Sequence, residues 1–524
     1  MKSAITQRID SVRARMKVGD KGHGTRHITS TRRFSFLLML VFSIFIFVSC
    51  SSTKTETPAE VTPAAPPAQT AESEVPDSYR EITFPAFQYG VPHPDSFRVQ
   101  ITDSITGYIV EDKTLPLVQF TAYFKESTVP DSIRDRAAAD MLSVMFRRGG
   151  ADSISAQKLE DSLEFISAEI SSSLSAFQSS FSINTLSKDF EGTMRLARQI
   201  LTKPAFEKKV LDVQKNGFID AFRRRYETPA QTLFALKNHV NYENNPRLWD
   251  AHDTEYQALT SADLKRLARG KFKKDRIIFA LSGDVNKDSV IVFLKKYFEE
   301  WQSTAAPGKE VQPLKFVNKP GIYVTDKEIT QANIALNQPF LKRPHPDYYP
   351  AAVASFILGG GGFSSRLTTR IRSDEGLAYS IYSHVDNNYR DTGLTTIALQ
   401  TKVESTALAL RLIEEEIEKL AAQGPSAEEL ALAKNALIES LPGLFDSPES
   451  TAQIFASDEL LGKSKDHYSD YINSIQAVTA EQVKTMIRRY FSREKMTVSI
   501  VAPAAQLKEL EPFTLVPADS LEFR

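Results

Sequence analysis

Cysteine and histidine are scarce in this 524-residue chain, and their scarcity excludes several kinds of site. The single cysteine is Cys50, so no disulfide can form within the chain and no cysteine cluster can hold a metal ion. Eight histidines are spread along the whole length. The motifs G-x-S-x-G and H-E-x-x-H are absent, which removes the common serine-hydrolase and zincin patterns.

The excess of basic charge that nucleic-acid binding requires is also missing. The formal net charge is −1 at pH 7. Residues 1–33 hold nine Lys or Arg and two Asp or Glu, which leaves 55 basic and 63 acidic residues in the rest of the chain. The body of the chain is therefore mildly acidic, and nucleic acid is not expected as a partner.

Long apolar sequence is limited to one run near the N-terminus. Residues 34–48 form an apolar run of 15 residues, which is shorter than the ~20 residues that a membrane-spanning helix needs. Two arginines precede it, and a serine and Cys50 follow it, which is the order of regions in a secretory signal. The segment resembles a bacterial lipoprotein signal, and this implies that Cys50 is the lipidated first residue of the mature protein. The alternative is an uncleaved N-terminal anchor. The basic region before the apolar run is long, so a translation start at Met16 is a separate hypothesis.

Composition then divides the chain into segments. Residues 51–78 contain five prolines and no aromatic residue, so they cannot bury enough apolar area to fold. The predicted segments are a lipoprotein-type signal peptide (1–49), a disordered Pro-rich tether (50–84), a first half-domain (85–306), a linker (307–320), a second half-domain (321–505) and a C-terminal tail (506–524).

The two half-domains are predicted to be duplicates. Residues 259–283 align with residues 478–502 without a gap, at an offset of 219. Both segments begin with a threonine N-cap, at Thr260 and Thr479, continue as an amphipathic helix and end in a β-type run. Helices alternate with antiparallel strands along the rest of each half. The sequence therefore predicts an α+β fold of two homologous half-domains, each a mostly antiparallel sheet packed with helices.

Individual elements follow from the same periodicity. Pro229 is predicted to close a helical run in the first half. The other predictions that matter below are strands over 117–124, 331–337, 377–385 and 393–402, and helices over 137–147, 156–165, 348–358, 363–371, 405–422 and 427–441.

The most distinctive segment spans residues 359–379. Four consecutive glycines lead into Phe-Ser-Ser-Arg-Leu, and Arg372 and Tyr379 follow, separated by six residues. Arg372 is predicted to end a helix, Gly376 to permit the turn, and Tyr379 to share one face of a strand with residues 377, 381, 383 and 385. No lysine follows the glycines as a phosphate-binding loop requires. The glycine run is therefore predicted to be a tight turn that backbone or substrate can approach closely.

This segment resembles the signature of the second half-domain of the pitrilysin/insulinase family of zinc peptidases, the inverzincins. The resemblance covers most of residues 85–505, is strong over 350–400 and is diffuse in the first half. It implies that Arg372 and Tyr379 contact the scissile carbonyl and the adjoining substrate backbone as catalytic groups. It also implies substrate-binding positions at Gly360, Gly361 and Arg366, with a structural role as the alternative for Arg366.

The zinc motif of that family, H-x-x-E-H, is absent. Aligning the predicted helix end at residues 149–150 with the family places Asp140, Ser143 and Val144 at the His, Glu and His positions. Valine cannot bind a metal, and serine cannot act as a general base at neutral pH. Asp220 is the nearest acidic residue to the position of the third ligand. The segment 252–256 has tyrosine where a second histidine would be needed, and is predicted to be a surface loop.

The resemblance implies that this chain is the subunit without zinc of a bacterial metallopeptidase. Such a chain would not be catalytic alone and would hold no cofactor of its own. It would bind peptide substrates beside a related partner chain that carries H-x-x-E-H and the zinc ion. Its lipid would anchor it in the bacterial cell envelope, on the periplasmic side or at the outer membrane. The alternatives are a catalytically inert structural or assembly subunit and a stand-alone peptide-binding lipoprotein of the same fold.

Overall fold

The computed structural model describes residues 89–125, 128–272, 276–301, 310–317 and 319–524. The predicted signal peptide, the tether and Cys50 lie outside these ranges. No helix within them is both long and apolar enough to cross a membrane.

Two six-stranded sheets organise the described residues. The first has the strand order β1-β2-β6-β3-β5-β4, and the second has the order β12-β7-β11-β8-β10-β9. The first sheet contains β1 Arg98–Thr102, β2 Ile105–Glu111, β3 Leu117–Phe124, β4 Glu169–Leu174, β5 Ser179–Leu186 and β6 Ile277–Gly283. The second contains β7 Gly321–Asp326, β8 Gln331–Pro339, β9 Ala378–Val385, β10 Leu394–Lys402, β11 Thr497–Ala502 and β12 Thr514–Leu515.

The helices flank the two sheets. Those of the first half are α1 Ile133–Arg148, α2 Ala156–Phe165, α3 Phe190–Thr202, α4 Lys208–Arg223, α5 Pro229–Asn241, α6 Asp253–Ala258, α7 Ser261–Ala268 and α8 Lys287–Glu299. Those of the second half are α9 Tyr348–Ser355, α10 Thr406–Gln423, α11 Ala427–Glu439, α12 Pro448–Leu461, α13 His467–Gln476 and α14 Ala480–Tyr490.

The topology repeats between the halves. The run β2-β6-β3-β5-β4 corresponds strand for strand to β7-β11-β8-β10-β9. In each run the first pair is parallel and the next three pairs are antiparallel. Thr260 and Thr479 both close capping boxes, at the starts of α7 and α14. The predicted α+β fold of two related half-domains, each with a mostly antiparallel sheet, is confirmed.

The halves interlock through one helix from each. Leu236 and Val240 of α5 pack against Val501 of the second sheet. Phe455 of α12 packs in the same way against Ile278 of the first sheet. The two helices start at prolines that are also 219 residues apart. Pro229 was predicted only to close a helical run, but it is the first residue of α5. A proline fits this position because the N–H that it lacks would have no partner within the helix.

A buried ion pair joins the halves near the linker. Nη1 and Nη2 of Arg247 donate to the two carboxylate oxygens of Asp391 at 3.0 and 2.6 Å. The side chains are only 12% and 5% exposed. The backbone N–H of Leu314 also donates to Asp391, at 3.3 Å. The described part of the predicted linker is thus fixed between the two half-domains.

The C-terminal segment predicted as a tail is part of the fold. Thr514–Leu515 forms β12, which pairs in parallel with β7. Glu522 then forms ion pairs with Arg225 and His252 of the first half. Residues 506–524 therefore connect the second sheet to the first half-domain.

Candidate functional site

Arg372 and Tyr379 meet at a corner of the second half-domain. After α9, the chain continues as π-helical turns over Phe356–Gly360 and Thr368–Asp374, with Arg372 in the second of them. Gly376, at φ +63°, then turns the chain into β9. This conformation favours glycine, which carries no Cβ to strain it. The prediction that Gly376 permits the turn is confirmed, and this turn brings the two side chains together.

An aromatic cradle holds the Arg372 guanidinium. Its Cζ lies over the ring of Tyr379, 4.7 Å from the centroid, and over the ring of Phe363, at 4.5 Å. The two rings are 83% and 71% exposed, so neither belongs to the core. A contact between a cation and a ring uses none of the guanidinium N–H donors in a conventional hydrogen bond, so they stay free to bind a ligand. Phe363 was missed as a site residue, although an aromatic residue directly after four glycines was the available signal.

The donors of this cradle have no competing acceptor among the described residues. No carboxylate in that part of the chain lies within 4.0 Å of the Arg372 guanidinium. The nearby Arg370 differs, because its Nη1 lies 2.5 Å from the carboxylate of Glu375. A guanidinium fork and a phenol are therefore presented side by side at an exposed corner.

Tyr379 occupies a β-bulge, which the sequence did not predict. In the pairing of β9 with β10, Ser380 lies opposite Gln400 and Ala378 lies opposite Thr401, so Tyr379 is an extra residue. The bulge breaks the alternation of faces. Ser383 is buried on the core side, whereas Tyr379 is exposed. The prediction of one shared face for these two side chains was wrong, and the bulge is what turns the phenol towards Arg372.

The glycine run lets the π-helical turn lie directly against β9. A Cβ on Gly359 would lie 2.7 Å from the backbone nitrogen of Ser383, and one on Gly360 would lie 3.2 Å from the Ser383 carbonyl oxygen. A Cβ on Gly361 would instead lie 2.8 Å from the ring of Phe356. The close approach of backbone to these glycines agrees with the prediction. Their predicted role in substrate binding stays a prediction.

Gly359→Ala should therefore destabilise the protein, by about 1 to 3 kcal/mol, because the new methyl group would push the turn away from β9. Gly217→Ala is the matched control, since a Cβ at that exposed position of α4 meets nothing within 4 Å. The control should leave stability unchanged or raise it slightly. Urea denaturation of both variants gives the comparison, and equal stabilities would contradict the close contact.

Arg366 is engaged by the fold. Its Nε and Nη2 donate to the two carboxylate oxygens of Glu429, both at 2.7 Å, and Nη2 also donates to the carbonyl of Gly424. The Arg366 guanidinium holds the pKa of Glu429 below its usual range. Glu429 in turn closes the capping box at the start of α11. This geometry favours the structural of the two predicted roles for Arg366.

The residues predicted to stand at the zinc-motif positions lie on α1, and they do not fit a metal ion. The carboxylate of Asp140 is paired with Arg136 at 2.9 Å and accepts a hydrogen bond from the Tyr256 hydroxyl at 2.9 Å. Burial raises the pKa of Asp140, against the effect of Arg136. Val144 has no donor atom. In the described ranges no three His, Cys, Asp or Glu residues form a group that could hold a metal.

The segment 252–256 is a helix start and not the predicted surface loop. His252 is the N-cap of α6, and its imidazole lies 2.7 Å from the carboxylate of Glu522. Tyr256, in the same helix, is buried and donates to Asp140. The polar residues that suggested a loop therefore connect α6 with α1 and with the C-terminal segment.

Comparison with known proteins gives consistent matches. Residues 258–437 match the family described as "Peptidase M16 inactive domain". The "Uncharacterized zinc protease YmxG" of Bacillus subtilis is 24% identical over 365 residues, which are 68% of this chain and 86% of that protein. The "Non-peptidase homolog YmxG" of Helicobacter pylori is 27% identical over 320 residues, which are 58% of this chain and 70% of that protein.

A solved structure extends the match to the fold. The "peptidase M16 inactive domain from Pseudomonas fluorescens" has a TM-score of 0.65 and 20% identity, and the match covers 79% of this chain and 96% of that one. At this identity the structural likeness shows the fold alone. Together with the sequence matches, it confirms the resemblance found at residues 359–379.

Proposed function

We propose that this chain, a member of the pitrilysin/insulinase-type (M16) peptidase family, is the subunit without zinc of a composite bacterial peptidase. It binds a peptide and presents Arg372 and Tyr379 to the scissile bond. A related partner chain that carries H-x-x-E-H supplies the zinc ion. The observation that supports this role most strongly is the contact of the Arg372 guanidinium with two exposed rings, at 4.7 and 4.5 Å from their centroids.

The chemistry of the pair suits peptide hydrolysis. Cleavage of a peptide bond passes through a tetrahedral oxyanion, and one preorganised donor aimed at that oxygen is worth about 2.7 to 4 kcal/mol. Arg372 offers a charged fork whose orientation is limited by the two rings. Tyr379 offers a neutral donor on a stiff side chain. Both groups can act on the substrate without a metal ion in this chain.

The first half-domain supports the need for a partner. Asp140 is already bound by Arg136 and Tyr256, and Ser143 and Val144 supply neither a metal ligand set nor a general base. No step of hydrolysis can be assigned to these residues. The metal-dependent part of the reaction is therefore assigned to a different chain.

An inert structural subunit is the second candidate, and one relative named a "Non-peptidase homolog" favours it. Against it stands the exposure of Tyr379 and Phe363, at 83% and 71%. A scaffold gains little stability from rings left in water, since the hydrophobic contribution follows the apolar area removed from it.

Purification of the tagged full-length chain from its native bacterium tests the proposal. We expect a related chain with H-x-x-E-H to co-purify, and metal analysis of the complex to find one zinc ion per pair of chains. If no related chain is recovered after cross-linking in intact cells, the proposal fails. A stand-alone peptide-binding lipoprotein would then be the better account.

Anchoring in the cell envelope is a separate part of the proposal. The signal-like segment ends at Cys50, and a thioether-linked lipid there would hold the body on the periplasmic side or at the outer membrane. Cys50→Ser should move the protein from the membrane fraction to the soluble fraction and abolish incorporation of radiolabelled palmitate. Unchanged labelling of the variant would contradict lipidation at this residue.

A further inference from the structure

A pocket of about 340 Å³ opens on the second sheet beside the Arg372/Tyr379 corner. Its floor is a set of cross-strand rows on the face opposite the core. Ala335 of β8, Ala398 of β10 and Tyr382 of β9 lie side by side in the central row. The two alanine side chains are much smaller than the neighbouring tyrosine ring, so they leave a depression in the surface of the sheet.

Helix α5 forms the opposite wall. It packs over β7, β8 and β11, and its Leu233, Phe234 and Lys237 line the pocket. Phe234 is 61% exposed, and the Nζ of Lys237 lies 5.1 Å from the centroid of its ring. The pocket thus has aromatic rings on two sides and an ammonium group at its wall.

The ammonium of Lys237 lacks a close counterion. Burial lowers the pKa of Lys237. Among the residues that the structure describes, no carboxylate lies within 4.0 Å of its Nζ. Asp386 attracts it only from farther away, and that carboxylate is already 3.4 Å from Nε2 of His384 and accepts the N–H of Leu394 at 2.9 Å.

Two of the polar side chains on the floor, Gln400 and Asn333, satisfy one another. Nε2 of Gln400 donates to the Asn333 side chain at 2.8 Å. This leaves Lys237 as the charged group available to a ligand, with His384 near the far end of the pocket. A partly desolvated ammonium gains most from an anionic hydrogen-bond acceptor.

A peptide held at the Arg372/Tyr379 corner and running beside β9 would pass this pocket. Ser380, Tyr382 and His384 of β9 line it, and Ser380 directly follows Tyr379. Because Tyr379 is the extra residue of the bulge, Tyr382 lies roughly 7 to 10 Å along the strand from it, at about 3.3 Å per residue. A peptide running beside β9 would therefore place a residue about three positions from its scissile bond over the pocket.

We propose that this pocket binds a carboxylate of the peptide substrate, with Lys237 as its counterion. The inference rests on the proposed function, since it assigns the class of peptide that this chain selects. The carboxylate can come from an acidic side chain or from the C-terminus of a short peptide. Both sources present the same group to Lys237.

Peptide binding to the purified full-length chain in detergent tests this directly. Fluorescence anisotropy would compare fluorescein-labelled decapeptides of one sequence that carry Glu or Gln at successive positions, each with a free or an amidated C-terminus. We expect one Glu position, or the free C-terminus, to tighten binding about tenfold, the effect of a hydrogen bond to a charged group. Dependence on a Glu position identifies a side chain, and dependence on the free end identifies the C-terminus.

Variants separate this inference from the function on which it rests. Lys237→Gln should remove the preference for the carboxylate while binding of the neutral peptide persists, and Lys237→Arg should retain the preference. If the neutral and acidic peptides bind equally, or if Lys237→Gln keeps the preference, the inference is overturned while peptide binding stands. If no peptide binds at all, both the inference and the proposed function fail.

Discussion

Arg372→Ala should lower peptide turnover by the assembled complex about 10² to 10³-fold, which is the effect of removing one oxyanion donor. The guanidinium is exposed at the corner, and its stacking partners hold it without occupying its donors. Its loss would remove a charged fork from the developing oxyanion. The substrate would still bind through its other contacts, so the loss should appear mainly in kcat.

Arg370→Ala is the control for this prediction. Arg370 lies two residues earlier and pairs with Glu375 at 2.5 Å, so its removal deletes a positive charge without touching the cradle. Turnover by the Arg370→Ala complex should stay near the wild-type value. Analytical ultracentrifugation should find the Arg370→Ala and Arg372→Ala complexes equally intact. Tyr379→Phe should retain the stacking and lose only the hydroxyl, which gives a smaller decrease. An unaltered rate for Arg372→Ala would favour the inert structural subunit.

Asp391→Ala should reduce the free energy of unfolding by about 3 to 5 kcal/mol, because it leaves the buried guanidinium of Arg247 without its partner. The two side chains are 5% and 12% exposed and form two hydrogen bonds. Urea denaturation followed by circular dichroism measures the change. The double variant Arg247→Met with Asp391→Leu should recover most of the loss, because it removes both charges.

Asp95→Ala is the matched control for this ion pair. Asp95 also pairs across the halves, with Lys465, but both side chains are more than half exposed. Water and salt screen such a pair, so its removal should change stability little. If Asp391→Ala were as mild as Asp95→Ala, the Arg247–Asp391 pair would not hold the halves together as described.

Local sequence patterns predicted the elements that have strong periodicity of their own. The strand over 117–124 and the helix over 156–165 have the predicted bounds. The strands over 378–385 and 394–402 begin within one residue of prediction. The helix predicted from residue 348 changes to π-helical turns after Ser355, because the glycines bring that turn against β9 and a sequence pattern carries no information on that contact.

The helices α5 and α12 were missed for a different reason. Their apolar residues pack on the sheet of the other half, so their amphipathic character depends on a surface distant in sequence. Pro229 was interpreted as the end of a helix because a proline is compatible both with the end of one helix and with the start of the next. The strands β1, β2 and β7 were likewise not predicted, since short strands gain their order from their neighbours.

At the candidate site, the pattern of residues 359–379 was enough to single out Arg372 and Tyr379. The orientation of their side chains, however, depends on the register of the strands. The bulge at Tyr379 follows from how β9 pairs with β10, which spacing along the chain cannot give. The Lys237 pocket could not be predicted from the sequence, because its walls come from residues about 150 positions apart in the chain. The mildly acidic body gave no hint of an ammonium in such a pocket.

Peptide cleavage by the purified chain alone, with and without added Zn²⁺, tests the central claim most directly. The account predicts that a mixture of fluorogenic peptides stays intact under both conditions. It also predicts that cleavage begins when the zinc-bearing chain is added. Efficient cleavage by the isolated chain, together with one tightly held divalent ion per molecule, would contradict it.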